Sequence, residues 1–182
     1  CSDDALYLFA EGTSHRAYDL LGAHPISRDG IEGTRFRVWA PNAERVSVVG
    51  DFNEWDGRIH PMSTLGASGV WEVFLPTIVP GTRYKFELRQ RNTGAVFLKS
   101  DPYAIQGEFR PATASIVPTR APFRWSDQLW IEHRTERDWL HAPLTIYELH
   151  AGSWMRHPDG RFYAWAELAE RLEEADGIQR KG

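Results

Sequence analysis

The chain has 182 residues, a formal net charge of −4 and a hydrophobic fraction of 42%, enough for one large or two small domains with a genuine core. It contains no apolar run of the ~18 residues that a membrane-spanning helix needs, and Lys and Arg are scattered among Asp and Glu, which argues against membrane and nucleic-acid partners. The only cysteine, Cys1, rules out an internal disulfide framework and fits a reducing cytoplasm, and a start at Cys-Ser-Asp-Asp in place of Met reads as a fragment or partial reading frame.

Residues 4–24 have helical spacing, with Leu6, Phe9, Ala10, Ala17, Leu20 and Leu21 recurring at three and four. Gly12 interrupts the pattern, so two short helices are expected, leading into a turn at Gly22-Ala23-His24-Pro25. From Thr34 the period changes to two. Phe36, Val38 and Ala40 alternate with Arg35, Arg37 and Trp39, and Val46 and Val48 follow a turn at Pro41-Asn42-Ala43. Trp71, Val73 and Leu75 share one face of the next strand. In the one after it, Tyr84, Phe86 and Leu88 oppose Arg83, Lys85, Glu87 and Arg89. Pro80-Gly81 and Asn92-Thr93-Gly94 supply turn chemistry, and strands over residues 95–98 and 114–117 complete the set. Short strands at such spacing predict an antiparallel β-sandwich of immunoglobulin-like type.

Beyond residue 120 the character changes. Residues 121–143 read as an ordered connector rich in Trp, Pro and charge. Residues 144–150 read as one apolar strand, residues 151–163 as a loop, and Trp165, Leu168, Ala169 and Leu172 as the apolar stripe of a helix. The expected organisation is a helical leader over residues 1–30, a sandwich over 31–120, the connector over 121–143, and over 144–182 the first βα unit of a (β/α)8 barrel that is incomplete within this sequence. The fold class expected is therefore mainly β.

Metal and cofactor chemistry find no support. Seven His and one Cys offer no paired ligand spacing. Gly30-Ile31-Glu32-Gly33 lacks the Lys and helix of a phosphate loop, and Ser14-His15 lies outside any nucleophile elbow. No cofactor and no metal are expected.

Six motifs in order carry a family resemblance: Trp39-Ala40-Pro41; Gly50-Asp51-Phe52-Asn53-Glu54-Trp55-Asp56-Gly57; His60-Pro61-Met62; Gly69-Val70-Trp71-Glu72; Tyr84-Lys85-Phe86-Glu87; and Lys99-Ser100-Asp101-Pro102-Tyr103-Ala104. Together they resemble the family 48 carbohydrate-binding module. The later Tyr147-Glu148-Leu149-His150-Ala151-Gly152-Ser153-Trp154 is similar to the opening of the glycoside hydrolase family 13 domain in bacterial 1,4-α-glucan branching enzymes. The resemblance implies a glycosyltransferase of glycogen biosynthesis that cuts an α-1,4 bond and rejoins the chain through α-1,6. Retaining chemistry of that kind uses two carboxylates ~5–5.5 Å apart. The family's pair lies on later barrel strands and matches no position here, so no catalytic residue is assigned and the chain by itself is expected to be inactive. Glu148, early on the first strand, reads as structural.

For binding, the resemblance implies α-glucan contacts at Trp55 and Lys85, where Trp55 follows a tight polar turn and is expected to be exposed, and Lys85 alternates off the core face. Packing remains open as the other use of Trp55. A second stacking Trp, usual in binding members, is missing from Thr93-Gly94-Ala95-Val96-Phe97, which implies weak binding. His150 and Trp154 could line a cleft in a complete enzyme, and the rest of the barrel is the expected protein partner. A stand-alone glycogen-binding regulatory module and the N-terminal part of a debranching or trehalose-releasing hydrolase are the alternatives. The unit at residues 144–172 speaks against the first of these.

Overall fold

The computed structural model describes residues 3–119 and 124–179. Cys1, the start of the connector at 121–123 and residues 180–182 lie outside them. The chain divides into two units, Cys1–Phe123 and Arg124–Gly182.

The first unit opens with helices α1 (Asp3–Ala10) and α2 (Ala17–Leu20) and continues in nine strands: β1 (Gly22–Arg28), β2 (Ile31–Trp39), β3 (Ala43–Gly50), β4 (Ser63–Thr64), β5 (Val70–Pro76), β6 (Arg83–Gln90), β7 (Val96–Lys99), β8 (Gln106–Gly107) and β9 (Ser115–Ile116). They form two antiparallel sheets. One has the order β1-β2-β5-β4; the other has the order β3-β6-β9-β8, with β7 also paired to β6.

Alternation decides which residues fill the interior. Phe36 and Val38 of β2, Val46 and Val48 of β3, Trp71 and Leu75 of β5, and Tyr84 and Phe86 of β6 make one buried cluster, with Val73 and Leu88 at its margin. Full burial of each large apolar side chain contributes about 1.5–3 kcal/mol. The rings meet edge to face, Phe36 on Tyr84 at 4.9 Å and Tyr84 on Phe86 at 5.8 Å between centroids, the arrangement their quadrupoles favour. Two interior side chains bond to backbone carbonyls: Thr34 Oγ1 donates to that of Ile78 at 2.7 Å, and Trp71 Nε1 to that of Ala40 at 3.0 Å. A smaller cluster of Leu20, Leu21 and Val70 lies under Leu6 and Phe9 of the leader.

One segment departs from the sequence reading. Gly22-Ala23-His24-Pro25 is the start of strand β1, not a turn, so the helical leader stops at Leu20 and a strand occupies most of the remainder of 1–30. β1 pairs with β2 from Gly22↔Arg37 to Arg28↔Ile31. It is an edge strand, where Pro25 costs no ladder bond that the sheet needs. The reversal is at Asp29-Gly30, both with positive φ (54° and 78°), the conformation of a two-residue hairpin turn.

In the second unit, α3 (Gln128–His133) has no buried residue and α4 spans Trp165–Gln179. The expected strand at residues 144–150 does not form: this stretch has no regular secondary structure, and Leu144, Ile146, Tyr147 and Glu148 are exposed. A barrel strand gets all its ladder bonds from neighbours on both sides, and none is paired to it here. Of the helix stripe only Leu168 is buried; Trp165, Ala169 and Leu172 are exposed. No βα unit is therefore assembled in the structure. Among the described residues, no helix is long and apolar enough to cross a membrane.

Candidate glucan-binding face

Strand β3 ends at Gly50, and the chain turns through a 3-10 turn, Asp51–Asn53, into Glu54 and Trp55. Both of these residues adopt left-handed backbone (φ 53° and 61°), unusual for any residue with a Cβ and most unusual for one as large as Trp. Asn53 holds the turn. Its buried amide donates from Nδ2 to the Val48 carbonyl and to His60 Nδ1, and its Oδ1 accepts the Gly50 N–H, all at 2.9 Å. The Trp55 N–H closes back on the Gly50 carbonyl at 2.9 Å.

Trp55 is half-buried, not freely exposed as expected. Its indole N–H donates to Asp51 Oδ1 at 3.1 Å, and the other oxygen of Asp51 takes Arg83 Nη2 at 2.6 Å and Nε at 2.8 Å. Arg83 reaches on to Glu108 at 3.3 Å, and Glu108 accepts the Ala114 N–H at 2.9 Å. Asp51 first and Glu108 second raise the pKa of the Arg83 guanidinium above its already high value. Farther along the loop, hydrogen bonds from the Arg58 side chain and then from its backbone N–H lower the Asp56 carboxyl to about 2.

Lys85 stands two residues from Arg83 on the same outward side of β6, half-buried, and Nζ donates to Thr113 Oγ1 at 2.7 Å. The Thr113 carbonyl in turn accepts Ser100 Oγ at 2.5 Å. The loop that carries Trp55 lies against this outward face. A Cβ on Gly57 would stand 2.0 Å from Glu87 Oε1, so the loop lies close against the Glu87 side chain, which any larger residue at 57 would have to displace. Trp55 and Lys85 thus belong to one polar face. Asp51 links Trp55 to Arg83, and Glu108 bonds both Arg83 and the Ala114 N–H, next in the chain to the Thr113 that Lys85 meets; the sequence reading did not single out these linking residues. Period-two alternation put Arg83 beside Lys85, but no sequence signal ties Asp51, Glu108 or Thr113 to that face. On β7, Val96 and Leu98 sit opposite Arg89 and Glu87 and share this side of the sheet. The position of a second platform is therefore aliphatic.

His150 and Trp154 lie in the second unit, in a turn closed by N–H bonds from Ser153 and Trp154 to the His150 carbonyl at 2.9 Å. His150 Nδ1 pairs with Ser153 Oγ at 2.8 Å, and Trp154 Nε1 donates to the Tyr147 hydroxyl at 2.8 Å. Their ring systems are held by these bonds within the second unit. Among the described residues, no group of three or more His, Cys, Asp or Glu is placed to hold a metal ion.

Residues 20–104 match the family model of carbohydrate-binding module 48, the isoamylase N-terminal domain. The chain is 58% identical over 167 residues to the 1,4-alpha-glucan branching enzyme GlgB of Nitrosomonas europaea, a match covering 92% of this chain and 23% of that protein. It is 56% identical over 177 residues to GlgB of Cellvibrio japonicus, covering 97% and 24%. The chain spans about a quarter of the length of such relatives. Among solved structures, apo pullulanase from Klebsiella pneumoniae is similar with a TM-score of 0.47 and 26% identity, over 64% of this chain and 12% of that one. Over residues 20–104 the chain belongs to the carbohydrate-binding module 48 family, and at this level of identity it corresponds to the N-terminal portion of GlgB-type 1,4-α-glucan branching enzymes.

Proposed function

We propose that these residues dock α-glucan for a 1,4-α-glucan branching enzyme of glycogen biosynthesis, with Trp55 as the stacking platform and Lys85 as a hydrogen-bond donor to sugar hydroxyls. The observation that carries this reading is the joining of Trp55 to the Lys85 face. Asp51 fixes the indole edge, so a ring face can meet a sugar without first being ordered, and Lys85 and Thr113 hold polar hydrogens nearby. With one platform instead of two, a maltooligosaccharide is expected to bind with Kd on the order of 0.1–10 mM. Titration with maltoheptaose, followed by tryptophan fluorescence or NMR, tests this: Trp55→Ala should abolish the response. Binding unchanged in that variant would place the site elsewhere and leave Trp55 a packing residue.

The 182 residues by themselves carry none of the branching chemistry, because a barrel active site is assembled from loops of several strands. The rest of the catalytic barrel is the protein partner in the complete enzyme, where His150 and Trp154 line the substrate cleft. Incubation with amylose, read by iodine staining and by reducing ends, should show no turnover. Activity that survives repurification and disappears in Glu148→Gln would refute this.

A further inference from the structure

A cleft of about 230 Å³ opens in the first unit, lined among others by Trp39, Pro41, Asn42, Leu88, Arg89 and Phe97. It sits at the Ala43↔Gln90 end of the β3–β6 pair, whereas Trp55 follows the Gly50↔Tyr84 end, so the two lie about 23 Å apart along the strands. Two of its rings are open to solvent, Trp39 at 54% and Phe97 at 38% exposure. Trp71 and Trp55 both use their indole N–H on protein oxygens, while those of Trp39 and the side-chain amide of Asn42 have no hydrogen-bond partner among the described residues. The cation on the rim is already compensated, since Arg89 Nε lies 3.3 Å from Glu44. The position of Trp39 depends on Gly69, where a Cβ would stand 3.1 Å from the indole nitrogen and 2.9 Å from Pro41 Cβ, at a φ of +75°.

Flat apolar rings, unspent neutral hydrogen-bonding groups and no free charge suit a neutral polyhydroxylated ligand better than an ion or a wholly apolar one. The volume, below the ~300–1,000 Å³ of pockets that enclose drug-sized ligands, suits a short stretch of sugar lying across an open surface. We propose that this cleft is a second α-glucan contact, with Trp39 and Phe97 as ring surfaces and the Trp39 indole N–H and Asn42 amide bonding to sugar hydroxyls. This rests on the reading of the chain as a glucan-binding module, and it places a second aromatic contact where neither Trp55 nor Lys85 can reach.

The test uses the whole chain and maltoheptaose. Indole N–H resonances are followed by ¹⁵N NMR, with Trp39→Phe assigning the Trp39 signal. The Trp39 resonance should shift on titration, and Phe97→Ala should weaken that response about fivefold while leaving the Trp55 response unchanged. A moving Trp55 resonance beside a stationary Trp39 would overturn this inference and leave the Trp55 site standing. Movement of Trp39 alone would support the cleft and remove the Trp55 site. If neither moves, both fall.

Discussion

Tyr84 donates its hydroxyl to Asp101 at 2.6 Å inside the sandwich, joining the start of β6 to the loop after β7. The other oxygen of Asp101 accepts the Tyr103 N–H, and its own N–H goes to Ser115 Oγ, at 2.8 and 2.9 Å. Burial, then the neighbouring Asp101 charge, raises the pKa of the Tyr84 hydroxyl; burial also raises that of the Asp101 carboxyl, against the hydrogen bonds it receives.

The sign for Tyr84 follows from that upward shift. Its proton is held more tightly in the folded chain than in the unfolded one, whose hydroxyl titrates near the ordinary 10.0. The stabilisation is complete below that pH and is lost as pH rises beyond it. Chemical denaturation between pH 8 and 11.5 should show stability falling above about pH 10, with the fall flattened in Tyr84→Phe. At pH 7 the same variant should cost about 1–3 kcal/mol, because Asp101 loses a buried partner. An alkaline slope equal in both proteins would show that Tyr84 does not govern it.

Asn53 is expected to matter for glucan binding without touching glucan. Two hydrogen bonds donated and one accepted by a buried amide hold the turn that presents Trp55, so Asn53→Ala should destabilise the chain by about 2–4 kcal/mol. It should also weaken maltoheptaose binding under conditions where the variant remains folded. Thermal unfolding and titration of the same sample separate the two effects. Normal affinity in a destabilised Asn53→Ala would mean that the loop holds Trp55 without it.

Glu54 tests backbone strain apart from chemistry. It is exposed, at a φ of 53°, and makes no side-chain hydrogen bond among the described residues. Glycine takes that conformation without the clash a Cβ suffers. Glu54→Gly should therefore raise stability by about 0.5–1 kcal/mol, less the entropy glycine adds to the unfolded chain, with glucan affinity unchanged. A loss of stability would show that the left-handed turn carries no strain at this position.

What could be read in advance had a local cause. The alternation of Phe36 and Val38, or of Tyr84 and Phe86, reports the face each strand buries, and the motifs around Trp55 and Lys85 mark residues that share a face in the fold. Pro25 misled because Pro reads as a strand breaker unless the strand is known to be an edge, although Asp29-Gly30 carried a hairpin signal. The links from Trp55 to Asp51 and Arg83, and from Lys85 to Thr113, join residues as many as 32 apart. They depend on strand order, which no local pattern specifies. Residues 144–150 show the reverse limit: an apolar run records the surroundings a segment is suited to, and a strand also needs partners.

The last expectation follows from that limit. Leu144 and Ile146 are 76% and 81% exposed, and Trp165, at the head of α4, is 81% exposed. Residues 144–150 form no ladder with any strand, so their amides have little to slow exchange with solvent. Exposed apolar side chains on an unpaired extended segment also favour association between chains. Hydrogen exchange should therefore be complete within seconds over residues 144–150 and slower by orders of magnitude at β2, β3 and β6. Size-exclusion chromatography across a concentration series should show self-association that Ile146→Asp reduces. Slow exchange throughout residues 144–172 in a clean monomer would sink the expectation, because it would mean that these 182 residues bury the segment without the neighbouring strands a barrel would supply.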